Sequence, residues 1–113
     1  MTDAIAITLG NLRADRQLQY ENYQVVSVLQ ALWGAITPNM IAISLGCVGP
    51  EVHLHFYLQE ASSIDMERIE EAAEDLEALQ FASVPIHTHV NVVSEPLLHR
   101  QIEGRLIFRR YEP

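Results

Sequence analysis

Four of the five histidines fall in two H-x-H pairs, His53 with His55 and His87 with His89. On a β-strand, residues two apart point to the same face, so two such pairs on neighbouring strands would turn four imidazoles the same way. That set could hold zinc or nickel. The competing reading is the polar face of an antiparallel sheet, where histidine and tyrosine suit cross-strand pairing. No carboxylate lies within either H-x-H, and Cys47 is the single cysteine. His53, His55, His87 and His89 are therefore the alternative, metal- or ligand-binding reading, and the leading expectation is that no cofactor is needed. Cys47 has no basic neighbours to lower its thiol pKa and reads as a small core residue. Nothing marks a nucleophile with its base or a glycine-rich phosphate loop, so the chain is not expected to be an enzyme.

Charge offers a stronger lead. Fifteen acidic residues stand against seven basic ones in 113 residues, for a net charge of −8, and every base is an arginine. Such a chain lacks the basic surface that phosphate backbones and anionic membranes attract, and no apolar run approaches the roughly 20 residues of a membrane helix. It would attract a basic protein partner. Between Asp65 and Glu77 seven acids face one base, Arg68. Glu70–Glu74 and Glu71–Asp75 are like-charge pairs at i, i+4, which cost helix stability. A helix that tolerates this repulsion suits a basic partner. Glu70, Glu71, Glu74, Asp75 and Glu77 are the leading partner-binding candidates, with Tyr57 and Tyr111 as lesser ones, tyrosine being enriched at energetic hot spots.

The elements that must position these residues follow from periodicity. Val25, Val26, Leu29, Leu32 and Trp33 repeat at helical spacing from Glu21 onward, with Trp33 expected in the core and Thr37-Pro38-Asn39 ending the segment. MIAISLGCV (40–48) and EVHLHFYLQE (51–60) read as a β-hairpin across Gly49-Pro50. Ser62-Ser63 can cap a second helix, whose stripe is Ile64, Ile69, Ala72, Ala73, Leu76 and Leu79. SVPIHTHVNVVSE (83–95) alternates as a third strand, and RLIFRRYEP (105–113) closes the chain as a fourth. In the last strand, Leu106 and Phe108 are expected opposite Arg109 and Tyr111. Residues 1–20 are hard to place: AIAITL could be a short strand, or an N-terminal segment laid against the domain, ended by Gly10-Asn11. The expected architecture is a single α+β domain over 1–113, a two-layer sandwich whose mainly antiparallel four-stranded sheet carries two helices on one face. The single cysteine and the acidic N-terminus point to the cytoplasm.

From Tyr23 to Glu112 the chain resembles bacterial contact-dependent growth inhibition immunity proteins (CdiI-like). The similarity rests on LQALWGAITPNMIAISL, HLHFYL, the acidic IDMERIEEAAEDLEAL, the SEPL turn and RLIFRRYE. It implies a non-enzymatic inhibitor that binds the C-terminal domain of a cognate toxin, often a nuclease, inside the cell. The charge argument agrees, because a nuclease site must be basic to hold phosphate.

Overall fold

The computed structural model describes residues 2–94 and 96–111, with side chains from residue 14 onward. Helix α1 spans Thr2–Ala31, strands β1 and β2 span Met40–Val48 and Glu51–Leu58, and helix α2 spans Ser63–Ala78. Strand β3 (Ile86–Val92), a short 3-10 turn at His99–Gln101, and strand β4 (Arg105–Arg109) complete the chain. The fold is α+β, with a four-stranded sheet in the order β3-β2-β1-β4. Neither described helix is long and apolar enough to cross a membrane.

The hairpin forms as expected, with β1 antiparallel to β2 and β4 antiparallel to β1. The sheet is mixed, however, because β3 adds parallel to β2. Helix α2 connects those two strands, and a helical crossover is what a parallel neighbour requires. On β2, Val52, Leu54, Phe56 and Leu58 are buried against both helices, together with Ile43 and Leu45 of β1. Val28, Ala31 and Leu32 of α1 and Ile69, Ala72 and Leu76 of α2 complete that layer. Ser62 caps α2, its hydroxyl accepting from the Asp65 N–H at 3.2 Å. Fully buried Gln24 of α1 and half-buried Gln80, just past α2, form a reciprocal amide pair at 2.8 and 3.0 Å, which satisfies polar groups that burial would otherwise penalise. The Tyr23 hydroxyl donates to the Leu79 carbonyl at 2.9 Å.

Several sequence expectations are corrected. No strand forms at AIAITL, and Gly10-Asn11 lies within α1. The residues that follow, rich in Leu, Arg, Ala, Gln and Glu, have high helix propensity and carry the helix through. Trp33 is 91% exposed, not core. Val26 and Leu29 of the same expected stripe are exposed with it, at 59% and 51%: the three share a side of α1 and its closing turn that faces away from the sheet, while Val28, Ala31 and Leu32 face the core. In β4, a register irregularity between Ile43 and Ser44 pairs Phe108 with Ile43 but Leu106 with Ser44. The bulge therefore separates Leu106 from Phe108, and Leu106 lies on the histidine face instead. Cys47 is half-buried at the edge of the core, and burial, followed by the nearby Glu21 charge, raises its thiol pKa.

Candidate functional site

Two surfaces lie on opposite sides of the sheet. The outer one belongs to α2. Asp65, Ile69, Ala72 and Leu76 face inward. Glu67, Glu70, Glu71, Glu74, Asp75 and Glu77 are all exposed on the arc away from that stripe. Arg68 pairs with Glu71 at 3.0 Å, a surface ion pair that neutralises only part of the arc. Asp65 does not join the acidic surface. It is buried and accepts a hydrogen bond from the Asn39 side chain. At the far end of α2 the acidic arc meets apolar surface: Val26, Leu29, Trp33 and Leu79 line a shallow depression of about 500 Å³. Phe81, 96% exposed, stacks beside Tyr23 with ring centroids 6.1 Å apart. Exposed aromatic and aliphatic side chains gathered beside charge are the makings of an interface core with a charged rim.

The other surface carries the histidines. Parallel register sets His53 beside His87 and His55 beside His89. The rings form a stacked ladder, with centroids 4.7 Å apart for His53–His87, 5.2 Å for His53–His89 and 4.6 Å for His55–His89. His53 Nδ1 lies 2.9 Å from His89 Nε2, a hydrogen bond between the rings. Glu51 stands at the end of the ladder, 3.8 Å from His53 Nε2 and 3.6 Å from His87 Nε2. It escaped the sequence reading because it precedes the H-x-H motif; its position two residues before His53 on one strand was the available signal. His55 faces Glu103 at 3.8 Å. Partial burial, then the neighbouring His89 charge, lowers the His55 pKa, with Glu103 opposing the shift. His53, His55, His89 and Glu103 border a depression of about 360 Å³.

The remaining candidates separate. Tyr57 is buried, and its hydroxyl accepts from the Glu103 N–H at 2.9 Å, under a segment that also buries Leu97. Arg109 donates to the Leu97 carbonyl and helps hold that segment down. Tyr57 therefore secures the covering loop and offers no surface to a partner. Tyr111 is 87% exposed beyond β4.

A family model for the MafI2 immunity protein matches residues 21–112, which contain every element just described except the first part of α1. The chain belongs to the MafI2 immunity protein family. Membership gives this immunity protein a toxin-neutralising role and a cognate toxin as its partner. That is the class the sequence resemblance pointed to. No curated protein matches the chain closely enough to count as a relative.

Proposed function

We propose that this immunity protein acts in the cytoplasm, without catalysis, by docking the acidic outer face of α2 onto a basic nuclease domain, most simply a ribonuclease delivered by contact-dependent growth inhibition. The observation that carries the reading is the six exposed carboxylates on one arc of α2, with Arg68 the single base among them. A surface that accepts like-charge repulsion within one helix is paid back when a cationic partner covers it. Carboxylates spaced along a helix can occupy the subsites where a nuclease holds phosphate oxygens. Trp33 and Leu29, beside the same helix, supply the desolvated anchor that charge alone lacks.

The test is growth of cells producing the toxin domain encoded beside this chain. Wild-type chain should restore growth, and the triple variant Glu71→Lys, Glu74→Lys, Asp75→Lys should not, at equal abundance and with an unchanged circular dichroism spectrum. Failure of the wild-type chain to protect would end the pairing with that toxin. Protection by the triple variant would move the docking site away from α2.

A further inference from the structure

The Glu51, His53 and His87 cluster lies on the far side of the sheet from α2 and has no part in the docking just described. Its donor atoms, one per residue, lie within 4.8 Å of one another. We propose that these three side chains form a binding site for a divalent cation of the zinc class, with Glu51, His53 and His87 as ligands and His89 as the group that orients His53.

Three features support this assignment. The first is the donor set: two imidazoles and one carboxylate, which suits zinc and its borderline neighbours and leaves a position for water. The second is spacing. Glu51 Oε2 sits 3.8 Å from His53 Nε2 and its other oxygen, Oε1, 3.6 Å from His87 Nε2, too far for good hydrogen bonds, and one donor from each residue falls within a 4.8 Å span. Donors around a tetrahedral ion with bonds of about 2.0–2.1 Å are themselves about 3.4 Å apart. All three side chains are accessible to an entering ion, at 44% exposure for Glu51, 24% for His53 and 46% for His87. Small side-chain rotations close the remaining gap. The third is the hydrogen bond of His53 Nδ1 with His89 Nε2 at 2.9 Å. A cation at His53 Nε2 selects the tautomer in which Nδ1–H donates to His89, and such outer partners fix ring orientation in metal sites. His55 stacks on His89 from the other side and faces Glu103, so it stands outside the ligand set.

The experiment is a calorimetric zinc titration of the full chain, made without a histidine tag and stripped with a chelator. One Zn²⁺ should bind per chain and raise the melting temperature. Glu51→Gln and His87→Ala should each lower affinity at least tenfold, and His89→Ala about 10- to 100-fold. His55→Ala and His99→Ala should change it less than threefold. His87, His89 and His99 are exposed and Glu51 is partly so, while His55 is 12% exposed; circular dichroism of each variant checks that folding is kept. No binding by the wild-type chain, or binding untouched by Glu51→Gln and His87→Ala, overturns the site. Equal losses in His55→Ala and His87→Ala would replace it with a four-imidazole site. No toxin is present in the titration, so its outcome is independent of the immunity reading.

Discussion

Replacing Asn39 by alanine should unpin the joint between the sheet and α2. The Asn39 side chain donates to the Glu60 carbonyl at 2.8 Å and accepts from the Glu60 N–H at 2.9 Å. It also donates to the carboxylate of Asp65, which is 3% exposed. The two bonds to the Glu60 backbone are partly solvated and contribute about 0.5 kcal/mol each, the low end for neutral hydrogen bonds. The bond to a buried carboxylate is worth about 1.5–3 kcal/mol, and its loss leaves a desolvated acceptor without its donor. The total is about 3 kcal/mol. With a urea dependence of about 1.5 kcal/mol per molar, the unfolding midpoint should fall by about 2 M. Combining Asn39→Ala with Asp65→Ala should cost less than the sum of the single changes by about 1–2 kcal/mol, because the carboxylate that needed the amide is gone. A loss below about 1 kcal/mol in Asn39→Ala, or strict additivity in the double variant, would refute the reasoning.

Gly104 has φ +79°, and a Cβ there would stand 2.4 Å from the Leu45 carbonyl oxygen. Gly104→Ala should therefore lose more than the roughly 1 kcal/mol typical of glycine replacement at positive φ, as read by thermal unfolding. His55 has its pKa lowered by burial, so the native state binds fewer protons at this ring than the unfolded chain. The stability it costs appears as pH falls through about 6.5 and vanishes above it. Urea midpoints at pH 7.5 and 5.5 should converge in His55→Gln relative to wild type, and an unchanged difference would contradict this. Trp33→Ser should leave stability within about 0.5 kcal/mol, since the side chain is exposed, while weakening toxin binding at least tenfold in a calorimetric titration.

Regular alternation made β2 legible: Val52, Leu54, Phe56 and Leu58 face the helices and His53 and His55 face away, as their spacing dictates. The Ser62 cap and the centre of the α2 stripe, Ile69, Ala72 and Leu76, were equally readable, because amphipathic periodicity and capping are local; its expected ends, Ile64 and Leu79, are exposed instead, at 66% and 38%. Asp65 was not. Its inward turn depends on Asn39, 26 residues away, which no helical period encodes. The parallel docking of β3, the loop that covers Tyr57 and the bulge that moves Leu106 are likewise tertiary outcomes. Trp33 fitted the apolar period, but so did Val26 and Leu29, which are exposed beside it; spacing marks an apolar side without saying which side meets the sheet, and here Val28, Ala31 and Leu32 do. The acidic arc was visible as composition; its exposure opposite the core needed the fold.

The claim that the α2 face meets a basic toxin is tested most directly by stopped-flow association of the chain with its cognate toxin domain at rising salt. The account predicts an association rate constant that falls at least tenfold between about 0.05 and 0.5 M salt, as the Debye length shrinks from about 14 to about 4 Å. In the Glu71→Lys, Glu74→Lys, Asp75→Lys variant the rate at low salt should drop to the high-salt value or below. An association rate indifferent to salt and unchanged by the triple reversal would contradict the account.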